Sequence, residues 1–181
     1  MTSIKQGEQM NNQPIAVFSH YLRQLRQLLN KCADHCEDET FLEARLTADM
    51  FNLYTQVQIT AGFSLRACCP MAGREVPDLS CHGIDNNQQP LAQLDRQLVQ
   101  TLDYLTELDD KVYDLMTGQI TDKAGPVAVN LPTNEFIFQF ALPNFMFHLS
   151  MVYAIAKTLG IPVTKGDFDG FHQYPVGFSF E

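Results

Sequence analysis

Asn144 and His148, an amide and an imidazole one helical turn apart, lie in the apolar run Gln139-Phe-Ala-Leu-Pro-Asn-Phe-Met-Phe-His148. Polar groups inside a core cost free energy unless they are paired or bind something, so this pair is the first candidate for a site. Imidazole supplies a metal ligand or a general base near neutral pH, and a carboxamide supplies a hard, weak oxygen donor. On a second apolar stripe, Leu42, Leu46, Asp49, Leu53, Gln56, Thr60, Phe63 and Ala67, the polar members Asp49 and Gln56 stand out. Asp49 and Gln56 are two helical turns apart, about 10 Å along a helix, too far for both to reach one ion without long side chains converging.

Two other groups offer weaker chemistry. Cys32-Ala-Asp-His-Cys36 places two thiols one turn apart with His35 beside them, a pattern that could make a nucleophile or ligate zinc. Both cysteines also fall on an apolar stripe, where cysteine acts as a small hydrophobe. Cys68-Cys69 and Cys81-His82 read as a helix end and a loop. No glycine-rich phosphate cradle, serine nucleophile motif or paired catalytic carboxylates is visible.

The elements that position these residues follow from periodicity. Ile15, Phe18, Leu22, Leu25, Leu29, Cys32 and Cys36 recur at threes and fours, which predicts a first helix over Gln13 to Glu37 with His20, Arg23, Arg26 and Lys31 outward. Thr40 with Glu43 has capping-box spacing and predicts the start of a second helix, which Pro70 and Gly73 end. Residues 74–89 lose periodicity and read as a loop. Pro90 opens a third helix with the stripe Leu91, Leu94, Leu98, Thr101, Leu105 and Leu108, continuing to about Leu115. Gln119-Ile-Thr and Val127-Ala-Val-Asn-Leu131 flank a Gly-containing turn and predict a small hairpin. A fourth helix is expected from Thr133 to Leu159, with Phe136, Phe140, Asn144, His148, Met151, Ile155 and Leu159 on its buried face and Pro143 kinking it. Alternation of Phe136, Phe138 and Phe140 leaves a strand over 135–140 as the rival reading.

With 181 residues, 45% of them hydrophobic and 18% charged, the chain is expected to form one domain with a real core. Residues 1–12 read as a flexible N-terminal segment, 13–170 as an all-α four-helix bundle with a small β-hairpin between helices three and four, and 171–181 as a C-terminal tail laid over the bundle or a neighbouring subunit. Acidic residues outnumber basic ones by 21 to 12, and the net charge of -9 repels a phosphate backbone, so nucleic acid is not an expected partner. Neither a signal-peptide core nor an uninterrupted apolar run of spanning length is read, and the expected location is the cytoplasm, with the five cysteines reduced.

Three separated motifs then fall in a familiar order: Ala44-Arg-Leu-Thr-Ala-Asp-Met-Phe-Asn-Leu-Tyr-Thr-Gln-Val-Gln58, Ala141-Leu-Pro-Asn-Phe-Met-Phe-His148 with Tyr153-Ala-Ile155, and Gly160 to Lys165-Gly-Asp-Phe168. Over Ile15 to Gly170 the chain resembles an uncharacterised bacterial domain-of-unknown-function family of the DinB-like clan. The resemblance implies a DinB-like bundle, commonly a homodimer, and no assigned activity. Distant clan members are regarded as metalloenzymes in which one His on helix two and an H-x-x-x-H pair on helix four hold a divalent metal, and some use it to activate a low-molecular-weight thiol. The last clan histidine precedes a helix-ending Gly by twelve residues, as His148 precedes Gly160 here. The resemblance therefore implies metal positions at His148, Asn144 and Gln56, with Zn, Ni or Mn as candidates. Two of the three are amides in this chain, and their weak donor strength tilts the reading toward no bound metal. The expectations are a small-molecule pocket around His148, Asn144, Gln56 and Asp49, or a non-catalytic dimeric bundle whose buried polar network only fixes the fold.

Overall fold

The structure, a computed structural model, describes residues 13–79, 89–109 and 113–175. The expected N-terminal segment 1–12, Cys81-His82 and the end of the C-terminal tail lie outside the described residues. Helix α1 spans Gln13–His35 and buries Ile15, Phe18, Leu22, Leu25, Leu29 and Cys32 of the face read from periodicity, together with Leu28, while Cys36 lies just past the helix and is only partly buried. Its outward basic side is not merely solvated. Arg26 forks onto Asp95 of the third helix at 2.5 and 3.1 Å, and Lys31 binds Asp167 at 2.9 and 3.0 Å.

The second helix departs from expectation at its start. Thr40 does not cap it; Asp38 caps a short 3₁₀ turn, Glu39–Glu43, by accepting from the Thr40 amide. The chain then runs irregularly to Asn52, whose side chain accepts from the Thr55 amide at 3.0 Å and opens α2, Leu53–Met71. Asp49 therefore lies in the preceding loop, exposed, with its carboxylate taking the Thr47 hydroxyl at 2.5 Å. The stripe as far as Leu46 and Asp49 is a coincidence of spacing in non-helical chain. Gly73, with a φ of 65°, closes the C-terminal end of α2 where Arg74 N–H returns to the Cys69 carbonyl.

Helix α3, Pro90–Asp109, is shorter than the periodicity suggested, and Glu39 of the 3₁₀ turn accepts the Leu91 amide near its start at 3.0 Å. Strands β1, Gln119–Ala124, and β2, Val127–Pro132, pair antiparallel with Ala124 opposite Val127, so the turn is Gly125-Pro126. Gly125 takes the positive φ of 60° and Pro126 excludes one at the second position, which suits a turn of the II′ kind.

The fourth helix, α4, is continuous from Thr133 to Thr158. Residues 135–140 are helical, not a strand, and Phe136–Ala141 form a π turn in which the Leu142 amide reaches back to the Ile137 carbonyl. Pro143 follows at the start of the regular α segment Leu142–Thr158. By length and composition α4 is apolar enough to cross a membrane, but it packs most extensively along α2 and fully buries Phe145, Leu149, Val152, Ile155 and Ala156. Gly160, with a φ of 77°, ends it.

The π turn changes which residues face inward. Its wider winding adds one residue to the turn, so the core face runs Phe136, Ala141, Phe145, Leu149, Val152 and Ala156. The expected stripe through Phe140, Asn144 and His148 is displaced to the flank of that face, where all three are only partly buried. A short helix α5, Lys165–Asp169, closes the described structure with a Thr164–Asp167 capping box and packs on α1. There the His20 imidazole Nε2 lies 2.7 Å from the Asp169 carbonyl, and Phe171 stacks on the His20 ring.

Candidate functional site

Helices α2 and α4 bring together two of the four expected residues. Gln56, 1% exposed, places Oε1 2.7 Å from His148 Nδ1. The amide orientation follows from its other contact: Gln56 Nε2 donates to the Phe51 carbonyl at 3.3 Å, and a carbonyl only accepts. Oε1 must then face the imidazole, Nδ1 must carry the proton, and the neutral ring keeps its lone pair on Nε2. Burial, followed by the positive charge of Arg66, holds the His148 pKa below its ordinary value. The ring is therefore neutral at physiological pH, able to accept a proton or a hydrogen bond at Nε2.

Asn144 does not join this pair. Its Nδ2 donates to the Phe140 carbonyl at 2.7 Å, a bond within the helix next to the disturbance made by the π turn and Pro143. Asp49 stays in its loop, on the far side of Phe51 and Asn52 in sequence from Gln56.

Aromatic groups that the sequence reading passed over complete the surroundings. Phe63 lies nearly parallel to the imidazole, with centroids 5.9 Å apart and 18° between planes, and Phe147 meets it edge-on at 5.2 Å. Phe63 also contacts Phe140 edge to face. The Arg66 guanidinium sits 4.2 Å from the Phe63 centroid. The only sequence signal for Phe63 was its place on the α2 stripe; nothing in the spacing of Phe147 or Arg66 pointed to His148.

The donor set does not fit a divalent metal. Gln56 Oε1 is engaged by the Nδ1 proton, the Asn144 amide is tied to its own helix, and His148 Nε2 is the single strong donor left. Among the described residues no three His, Cys, Asp or Glu side chains converge as a metal site would require. Nor do Cys32, Cys68 and Cys69, among the described residues, have the character of reactive thiols. Burial pushes the pKa of Cys32 up to about 12 and that of Cys69 up to about 11, burial also raises Cys68 well above its ordinary value, and the His35 ring contacts the Lys31 carbonyl at 2.9 Å.

Among the described residues, the surface concavities of note lie elsewhere. One of about 530 Å³ runs between α1 and α3 past Arg23, Arg26 and Leu102, one of about 440 Å³ lies by Cys36 and Phe41, and one of about 330 Å³ is bounded by Ser150, Tyr153, Lys165 and Phe168. None of the three is lined by His148, Asn144, Gln56 or Asp49. A second buried polar seam was also missed in the sequence: the Tyr54 hydroxyl donates to Gln93 Oε1 at 3.0 Å between α2 and α3.

The family model described as Domain of unknown function (DUF1993) matches residues 10–169. The chain belongs to the DUF1993 family. It is also similar to a solved structure, a DinB family member protein from Shewanella denitrificans, with 26% identity, a TM-score of 0.72, and coverage of 94% of this chain and 97% of that one. No curated protein matches. The DinB-like resemblance and the helical fold with its small hairpin are thereby borne out, and the DUF1993 family name assigns no activity.

Proposed function

We propose that this DUF1993 protein binds a small molecule at His148 through a neutral imidazole and without a divalent metal. The observation that carries the reading is the fixed chain from the Phe51 carbonyl through the Gln56 amide to His148 Nδ1. It spends one ring nitrogen on the bundle and leaves the other basic. An imidazole held in one tautomer by Gln56 and Phe63 suits a planar ligand that offers a hydrogen-bond donor to Nε2 and a ring face to the exposed Phe147. The same nitrogen could take a proton from a bound substrate.

The test is a thermal-shift screen of polar aromatic metabolites against the wild type and His148→Phe. A compound that raises the melting temperature of the wild type and not of the variant supports the reading. If no compound separates the two proteins, the reading fails.

The second reading is architectural, a non-catalytic dimeric bundle. It is favoured by the Asn144 bond to its own helix and by the exposed Phe51 (56%), Phe138 (49%) and Phe147 (53%), aromatic surface that a second copy could cover. Light scattering of the wild type and Phe147→Glu tests it, with a dimer that the substitution dissociates as the supporting result. We also place the protein in the cytoplasm, a reading supported by the free state of the four described cysteines.

A further inference from the structure

The β1–β2 hairpin is lightly held. Ile120 is its one fully buried side chain, and the other described positions of both strands are exposed or partly exposed. Among the described residues, one side chain of the bundle hydrogen-bonds to its strands. Arg66 of α2 donates from Nε to Asp122 Oδ2 at 2.6 Å and from Nη2 to the Lys123 carbonyl at 2.8 Å. The same guanidinium lies over Phe63, and Phe63 lies against His148. A contiguous series of contacts thus runs from the hairpin through Arg66 and Phe63 to the imidazole.

We propose that Arg66 is a positioning residue for His148, and that the hairpin acts through it as a clasp on the aromatic wall of the site. The guanidinium is planar and its donors form a rigid fork, so two bonds to β1 fix its plane as well as its place. A fixed plane over Phe63 limits the rotation of that ring. A fixed Phe63 in turn restricts the imidazole to orientations that keep Nδ1 on Gln56. Loss of the fork releases Phe63, and His148 then samples orientations in which Nδ1 leaves Gln56, so that both nitrogens and not Nε2 alone meet reagent. The inference rests on His148 being the binding group, yet neither of its readouts involves a ligand. Failure here leaves the ligand screen standing, and failure of the screen leaves this coupling measurable.

The experiment uses the full chain with Arg66→Gln, Arg66→Lys and Asp122→Asn. The first readout is the rate at which diethyl pyrocarbonate acylates His148 at neutral pH, followed by peptide mapping, with exposed His35 as the internal standard. The second is the chemical shift of the His148 ring protons, which senses the ring current of Phe63. All three variants are expected to raise the His148 rate by about fivefold or more relative to His35 and to move its ring protons toward random-coil shifts. Arg66→Lys keeps the charge and loses the fork, so it is expected to side with Arg66→Gln. If Arg66→Lys behaves as wild type, charge and not the fork is what matters, and the clasp is overturned. Unchanged rates and shifts in Asp122→Asn overturn it as well. Asp122 lies on the lightly packed strand, so this variant carries the test should Arg66→Gln fail to fold.

Discussion

Removing the Gln56–His148 bond from both ends separates a stabilising contact from a coincidental one. In Gln56→Leu the buried volume is nearly kept, but the imidazole loses its acceptor and the Phe51 carbonyl loses a donor. A net hydrogen bond is worth about 1 kcal/mol and an orphaned buried polar group costs about 1–3 kcal/mol. His148 is partly exposed and can turn Nδ1 toward water, so the lower part of that range applies, about 1–2 kcal/mol. His148→Phe strands the other partner, Gln56 Oε1, at a position 1% exposed, and the same reasoning gives a similar cost. The double variant replaces both partners by apolar groups and leaves no orphan between them, so it is expected to be less destabilised than the sum of the singles by about 1 kcal/mol or more.

The assay is urea unfolding of the four proteins at one concentration and constant pH, with the coupling energy read from the cycle. For a chain of this length each kcal/mol corresponds to about 2–4 °C in melting temperature, so calorimetry gives an independent check. Additive single variants, with a coupling indistinguishable from zero, would refute the reasoning. The 2.7 Å contact would then not hold the ring in one tautomer, and the basic Nε2 inferred from it would lose its support.

Three further outcomes are expected. Because burial and Arg66 depress the His148 pKa in the native state, the unfolded chain binds the proton more readily; stability is full above the unfolded value of about 6.5 and falls as pH drops through the lower native value, by at most about 1.4 kcal/mol per pH unit from this group. The stability difference between wild type and His148→Phe should show that slope, and a flat or opposite difference curve counts against it. Titration with Zn, Ni and Mn should show no wild-type binding tighter than millimolar, whereas Gln56→His/Asn144→His, which supplies imidazoles at the two amide positions, should bind Zn or Ni in the micromolar range; micromolar wild-type binding that His148→Phe abolishes would contradict the donor-set argument. Gln97 Oε1 is buried with no hydrogen-bond partner among the described residues, so Gln97→Met should stabilise the fold by about 1 kcal/mol in urea unfolding, and a loss of stability would show that the oxygen is satisfied after all.

The bundle was legible because its signals are local and redundant. Along α1 and α3 most of the residues recurring at threes and fours are leucine or phenylalanine, and no cap or turn interrupts them, so period and burial coincide. The hairpin was legible for the same reason, since Gly125-Pro126 admits few turn types between β-branched runs. Asp49 was misplaced because spacing cannot tell a helix from a coil that happens to repeat at fours and threes. The arbiters were Asp38 and Asn52, each of which caps a short local start, and Thr40 offered a competing cap that the backbone does not use. The partners of Arg26, Lys31 and Arg66 were illegible in principle, because Asp95, Asp167 and Asp122 are distant in sequence and acidic residues are plentiful in the chain.

The π turn explains why a histidine that periodicity assigns to the core can do chemistry. Had Phe136–Ala141 wound as an ordinary α-helix, the step of four from Phe136 would have carried Phe140, Asn144 and His148 along the buried face, leaving Phe145 and Leu149 toward its edge. An imidazole in the middle of that face would need both nitrogens satisfied inside the bundle, and neither could serve a ligand. The extra residue in the turn gives the interior to Ala141, Phe145 and Leu149, all 0% exposed, and moves His148 to the boundary. There it meets Gln56 through Nδ1 and is only partly buried. One turn earlier on the same segment, the Asn144 amide donates to the Phe140 carbonyl and not to Gln56 or His148, so no third donor joins the pair as a metal would need.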